Sequence, residues 1–233
     1  MASSRATARQ QQLSQEEISR QKRAAAVAAA ELIEDGMRVG LGTGSTVAHL
    51  LPAIADRGCQ GLRCVATSPA TESAARALGL KVETLDEVGE LDIAIDGADQ
   101  IDERGWLIKG GGGAHTREKI VAAAARRFVV IASEDKAVPQ LAAPVPLELL
   151  AFGVQRTLLS VEPAKLRGVG PSPDGGLIAD YMGAIGEPRE LAARLSAAPG
   201  VIEHGLFAPE LVSVILIAGE GAVQRRAGGK PGS

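Results

Sequence analysis

The feature that most constrains this chain is the alternation of short, largely apolar runs with alanine-rich helical stretches. Arg38 to Leu41, the run LRCVAT, Lys81 to Leu85, Leu91 to Asp96 and the run FVVIA read as strands, and most are followed by a segment with helical patterning. A strand that is apolar on both faces must be covered on both faces. The pattern therefore specifies an α/β fold, with a mostly parallel, Rossmann-like sheet and helices on either side.

Local signals place the first helices. Leu13-Ser14-Gln15-Glu16-Glu17 joins an N-cap serine to a glutamate three residues on, with an apolar residue ahead of the cap. That helix is expected to run to Leu32-Ile33 and stop near Asp35-Gly36. Ser68-Pro69 starts another, and a third spans about His115 to Arg126. Pro52 either kinks the second helix or ends it early.

The rhythm changes after residue 138, where Pro139, Pro144 and Pro146 mark a boundary. A helix near Val154 to Leu159, a turn-rich break from Gly168 to Gly176, the strand-like LIADYM and a helix from Glu187-Pro188 to Pro199-Gly200 form a smaller α+β unit. The apolar run VSVILIA then returns to the main sheet. The expected organisation is a disordered tail over 1–12, a main α/β domain over 13–138 and 211–222, a small domain over 139–210, and a C-terminal tail over 223–233.

Composition narrows the function classes. Aromatics are 2% of the chain and the formal net charge is -3 with no basic stripe, so nucleic acid is not the expected partner. No run approaches the length needed to span a bilayer, and the polar N-terminal residues contain no apolar leader segment, so a cytoplasmic protein is expected. Cys59 and Cys64 read as reduced thiols. His49, His115 and His204 are too scattered for a metal set, and no metal or cofactor is expected.

Three segments carry chemistry. In VGLGTGST, from Val39 to Thr46, a strand runs through a glycine turn into a helix, whose free amides suit a phosphate. Thr43, Gly44, Ser45 and Thr46 are the candidate contacts; a turn present only for packing is the alternative. The spacing is not that of a Walker A loop, and the following strand ends in Thr67-Ser68 rather than the acid of a dinucleotide site.

In LDIAIDGADQID, Asp96 ends an apolar strand and Asp99 follows, while Asp102 serves the next hairpin. Lys109 then precedes Gly110 to Gly113, a run whose amides can crowd a ligand, with Gly111 and Gly112 as candidates. Glu118 enters the next helix near its first turn, where the helix field lowers its basicity and favours the carboxylate, and burial sets the pKa from there; an ordinary first-turn acid is the alternative reading.

The ordered set GLGTGST, DGAD, KGGGG, TREK and SEDK resembles the type A family of ribose-5-phosphate isomerases, over about residues 15–220. The resemblance implies that Glu118 is the catalytic base, and that Asp96 and Asp99 serve ring opening and hold hydroxyls. It further implies that Lys109 stabilises an enediolate and that Lys22 and Lys136 contact the phosphate of a pentose phosphate. It also implies a homodimer or dimer of dimers, no metal, and a ferredoxin-like second domain. Sugar-phosphate deaminases or lactonases, CoA transferases and sugar-phosphate sensors are the competing readings. Three departures from the family pattern stand out: the turn Ser172-Pro173-Asp174-Gly175-Gly176, expected to lie remote from the motif cluster; His115, whose ring is expected to perturb the glycine loop; and Thr67-Ser68-Pro69-Ala70-Thr71, which varies on the family's hydroxyl-rich segment but keeps hydroxyls at its start.

Overall fold

The computed structural model describes residues 13–230. The tail expected over 1–12, and the last three residues of the tail expected over 223–233, lie outside that range.

Helix α1 (Gln15–Ala30) opens on a reciprocal capping box. Glu17 N–H donates to Ser14 Oγ at 3.2 Å, and Ser14 N–H donates to Glu17 Oε2 at 2.9 Å. Its buried face is Gln21, Ala25, Ala26, Ala29 and Ala30, so methyl-sized side chains let it lie close to its neighbours. Next come β1 (Arg38–Leu41) and α2 (Ser45–Arg57), which runs through Pro52 without ending there. Then follow β2 (Arg63–Ala66), α3 (Pro69–Ala77), α4 (Leu85–Val88) and β3 (Leu91–Gly97).

The strand expected over Lys81 to Leu85 reduces to a single bridge, Val82 to Cys64. Thr84 and Glu87 instead form a capping box that starts α4, so local capping wins where the sheet is ending.

Two short strands, β4 (Gln100–Ile101) and β5 (Leu107–Ile108), precede α5 (His115–Ala124) and β6 (Ala125–Ser133). The second unit contains β7 (Val145–Leu149), α6 (Val154–Ser160), β8 (Ala164–Leu166), β9 (Leu177–Tyr181), α7 (Pro188–Ser196) and β10 (Val201–His204). The chain continues through β11 (Leu206–Phe207), β12 (Val214–Ala218) and β13 (Val223–Ala227).

The main sheet has the order β13-β12-β6-β3-β1-β2 and is parallel except for β13. Two apolar clusters sandwich it, one built on α1 and α2 and the other on α5 and Phe207. The expected C-terminal tail is corrected at its start: Val223–Ala227 is an antiparallel edge strand. Its outward residues Gln224, Arg225 and Arg226 are exposed, which is why it reads as a tail in sequence.

The second sheet, β10-β7-β9-β8, is wholly antiparallel. Its βαββαβ order, with neighbours fourth, first, third and second, is a ferredoxin-like arrangement. A third small sheet, β11-β5-β4, links the two. No helix among the described residues is long and apolar enough to cross a membrane.

From β1 the chain turns outward to β2 on one side, while β3, β6 and β12 extend the sheet on the other. The point where strand order reverses therefore lies between β1 and β3, and crevices at the carboxyl ends of such strands bind ligands. Contact across this region is close. A Cβ on Gly40 in β1 would fall 2.5 Å from Val121 Cγ1 on α5 and 2.9 Å from Ala94 Cβ on β3. Gly40→Ala is expected to destabilise the protein by about 1–3 kcal/mol through overpacking, measured as a lower midpoint of urea unfolding.

Candidate active site

The glycine turn after β1, the end of β3 and the end of β6 converge at this reversal point. Asp96, the penultimate residue of β3, is buried; its Oδ1 accepts from Thr43 N–H at 3.1 Å and from Gly97 N–H at 2.7 Å. The approach is so close that a Cβ on Gly42 would fall 2.0 Å from that carboxylate. Thr71 Oγ1 donates to Gly42 O at 2.9 Å, and the Thr43 and Thr67 hydroxyls lie 2.7 Å apart, which fixes the other side of the turn. Thr67 and Thr71 belong to the hydroxyl-rich segment, but their role as braces for the turn has no sequence signal.

Lys109, just after β5, carries the centre. Its Nζ donates to Gly97 O at 2.6 Å and lies 2.8 Å from Asp96 Oδ2 and 3.1 Å from Glu118 Oε2. All three side chains are at most 4% exposed. The two carboxylate contacts are charge contacts rather than aligned hydrogen bonds. Asp96 Oδ2 and Glu118 Oε2 therefore remain without a hydrogen-bond partner among the described residues. Beneath the ammonium lies the Phe207 ring, 5.5 Å away at its centroid, a contact that nothing in the sequence signals.

A cavity of about 160 Å³ opens above this cluster. Its walls are Thr43 to Thr46 on one side, Gly97 to Asp99 at the sheet end, and Lys109 to Gly112 opposite, with Glu118 within and Lys22 and Lys136 at the rim. Lys22 Nζ donates to Ser45 Oγ at 2.9 Å, and Lys136 pairs with its neighbour Asp135 at 3.0 Å. Asp99 is exposed and accepts from Gly111 N–H at 2.8 Å. Of the twelve candidate residues, only Asp96 is absent from the cavity wall; it stands one layer back, behind Lys109. Larger clefts of about 540 and 750 Å³ lie beside Arg104 and beside Arg117, but neither contains this three-group centre.

The profile of the family described as Ribose 5-phosphate isomerase A (phosphoriboisomerase A) matches residues 63–222. Ribose-5-phosphate isomerase A of Bradyrhizobium diazoefficiens is 43% identical over 230 residues, covering 88% of this chain and 95% of that one. The crystal structure of ribose 5-phosphate isomerase A from Neisseria gonorrhoeae has a TM-score of 0.85 at 33% identity, covering 90% of this chain and 97% of that chain. A D-ribose-5-phosphate isomerase solved in complex with phospho-erythronic acid also has a TM-score of 0.85 at 33% identity, covering 90% and 99%. This chain belongs to the ribose-5-phosphate isomerase A family.

Membership separates the isomerase from the deaminase, transferase and sensor readings, and directs attention to how the centre ionises. One cation faces two buried carboxyls and cannot neutralise both. Burial alone would lower the pKa of Lys109, but the charges of Asp96 and Glu118 outweigh it, so the lysine holds its proton more tightly than usual. Burial raises the pKa of Asp96, with Lys109 and the two amides only partly offsetting it.

Burial likewise lifts Glu118 to about 7, against the attraction of Lys109 and with help from the charges of Asp96 and Asp99. Burial, on which the sequence left this pKa to depend, thus decides it against the helix field. Desolvation outweighs a first-turn dipole worth only about 0.3–1 kcal/mol at exposed sites.

One further expectation changes. The turn from Ser172 to Gly176 is not remote: Asp174 takes Arg117 in a bidentate pair at 2.7 and 2.8 Å, one residue before Glu118. Ser172 Oγ donates to the buried Glu148, which also accepts from Thr116 Oγ1. The second sheet thereby grips the start of α5. His115 is fully buried beneath the glycine loop, where a Cβ on Gly110 (φ +100°) would fall 2.6 Å from its Nδ1. Burial pushes its pKa down to about 4, so a neutral ring underlies the loop.

The raised pKa of Glu118 has a stability consequence with a definite sign. Its folded value of about 7 lies above the ordinary 4.5, so its contribution is fully present below pH 4.5 and is lost as pH rises through 7. Wild type should therefore lose stability relative to Glu118→Gln as pH rises from 4.5 to above 7, read as the pH dependence of the difference in urea unfolding free energy. A difference that stays flat over that range would contradict the raised value.

Proposed function

We propose that this chain interconverts ribose 5-phosphate and ribulose 5-phosphate by moving a proton between adjacent sugar carbons on Glu118. The supporting observation is a buried glutamate with a pKa near neutrality, its Oε2 free of hydrogen-bond partners and 3.1 Å from a lysine ammonium, at a cavity with amide and lysine donors on its rim. A base poised near the working pH combines adequate ionisation with adequate proton affinity.

The roles follow from position. Lys22, Lys136 and the turn from Thr43 to Thr46 hold the phosphate at the amino end of α2, so that remote binding energy orients the carbon chain. Asp99, the exposed carboxylate of the pair, accepts the anomeric hydroxyl proton and returns it to the ring oxygen, opening the furanose to the aldehyde. Glu118 then removes the C2 proton, and the electron pair shifts through C1 to its oxygen, forming a cis-enediolate.

Lys109 and the Gly112 amide stabilise that oxygen, while the Gly111 amide holds the Asp99 carboxylate beside it. The O2 proton passes to O1, Glu118 delivers its proton to C1, and the ketone forms at C2. Asp96 acts through Lys109, holding the ammonium toward Glu118 from behind.

This reading places the protein in the carbohydrate chemistry of the pentose phosphate pathway. We further propose a cytoplasmic location, supported by the two free thiols Cys59 and Cys64, and a homodimer or dimer of dimers. The exposed apolar side chains of Phe152, Leu159 and Val169 supply surface for self-association. Sedimentation as a monomer at micromolar concentration would remove the assembly proposal.

Purified, chelator-treated protein incubated with ribose 5-phosphate in deuterated water is expected to form the ketose with deuterium at C1, followed by NMR; folded protein that forms no ketose rejects the isomerase reading. Glu118→Gln should lower kcat by about 10²–10⁴-fold with a modest change in KM. In wild type, kcat/KM should rise with pH through about 7, as the carboxyl loses its proton and becomes the base. Lys136→Ala should lower kcat/KM, and an unchanged value would separate that lysine from the phosphate.

A further inference from the structure

Arg167 follows β8 in the second sheet and does not line the cavity, yet it is joined to it through the glycine loop. Its Nε and Nη2 donate to the two oxygens of Asp180 at 2.8 and 2.7 Å, a bidentate pair in which the side chains are 17% and 12% exposed. That pair fixes the plane of the guanidinium, because its five donors form a rigid fork. The remaining Nη1 donates to both Gly110 O and Gly111 O at 3.1 Å.

Both peptides are trans, so each N–H points away from the carbonyl of its own unit. Holding Gly110 O and Gly111 O on the side of Arg167 turns the N–H groups of Gly111 and Gly112 to the opposite side, which faces the cavity. The Gly111 N–H shows this orientation, since it donates to Asp99 Oδ2 at 2.8 Å. The Gly112 N–H has no hydrogen-bond partner among the described residues, and Gly112 lies on the cavity wall within reach of Thr43.

The Gly110–Gly111 peptide is also held by Gly113 N–H, which donates to Gly110 O at 3.0 Å, and by Asp99, whereas the Gly111–Gly112 peptide has only Arg167 as a hydrogen-bond partner among the described residues. A peptide unit between two glycines rotates easily, and its dipole can present either its carbonyl or its amide to the ligand. A carbonyl facing a developing oxyanion would repel it. The His115 ring below Gly110 limits translation of the loop, but it makes no hydrogen bond to the peptides at issue.

We propose that Arg167, oriented by Asp180, is a positioning residue that sets the Gly111–Gly112 peptide with its free amide toward the substrate, and so supports the enediolate without touching it. This inference rests on the isomerase reading above. It also gives the second sheet a part in catalysis.

The test compares wild type with Arg167→Met, Arg167→Lys and Asp180→Asn. kcat and KM are measured for ribose 5-phosphate, and calorimetric affinities for phospho-erythronic acid, whose carboxylate stands in for the enediolate oxygens, and for inorganic phosphate. In Arg167→Met, kcat is expected to fall by about 10–100-fold with KM within roughly threefold, less than the roughly 10²–10³-fold cost of removing an oxyanion donor outright, because the amide is misdirected rather than lost. Phospho-erythronic acid should weaken in parallel with kcat, while inorganic phosphate binds as in wild type. Asp180→Asn should move the same readouts in the same direction by less.

Arg167→Lys keeps the charge but not the fork, and should resemble the methionine variant; wild-type kcat in it would overturn the proposal. So would parallel losses of acid and phosphate affinity, the mark of general damage, or a kcat within roughly twofold of wild type in all three variants. If Arg167→Met does not fold, the lysine and asparagine variants carry the test. Wild-type protein without turnover would reject the isomerase reading, and the ratio of acid to phosphate affinity would still decide whether Arg167 directs the loop.

Discussion

An ammonium group in a protein interior is tolerable only when charge and hydrogen bonds replace the water it has lost, and the surroundings of Lys109 meet that demand. Asp96 and Glu118 supply the charge, Gly97 O accepts a hydrogen bond, and the Phe207 ring offers its face. Removing one partner from such a buried set costs about 3–5 kcal/mol, because the remaining charge is left without compensation. The ends of β3 and β5 and the start of α5 are therefore held together by electrostatics as well as by packing. Burial, only partly offset by Lys109 and reinforced by the charge of Asp96, keeps Glu118 near its ionisation point at neutral pH.

The scaffold delivers these groups because a parallel sheet gathers its strand ends. β1, β3 and β6 are neighbours whose carboxyl ends all open toward one crevice, so residues far apart in the chain meet without any long loop. Small side chains make the approach possible. The alanine face of α1 and the missing Cβ at Gly42 bring the phosphate turn into contact with the Asp96 carboxylate. The second sheet is part of this construction: it reaches the active site through Thr116 and Arg117 on α5, and through Arg167 on the glycine loop.

Much of this was legible before the fold was known. Each chemical segment lies where a strand ends or a helix begins, and those boundaries have local causes: the Ser14 cap, the glycine turn after Leu41, and the apolar run that stops at Asp96. The segments that misled are those whose state depends on a neighbour. Lys81 to Leu85 has strand-like composition, but the sheet offers it only one bridge, and the Thr84–Glu87 cap claims the rest. Val223 to Ala227 has the polarity of a tail, but the free edge of β12 accepts it as a strand.

The sequence by itself determined the alternation that builds the sheet and the identity of nearly every group on the cavity wall, because both are written in local patterns. Only the tertiary structure decided how those groups behave. Burial raised Glu118 above the value its helix position alone would set, and packing put Asp96 behind Lys109 rather than beside the cavity. Asp174, Asp180 and Arg167 reach the site across more than fifty residues of chain or through partners that do. The reason is physical: a pKa and a peptide orientation are set by everything within a few ångströms, and most of what lies that close is distant in sequence.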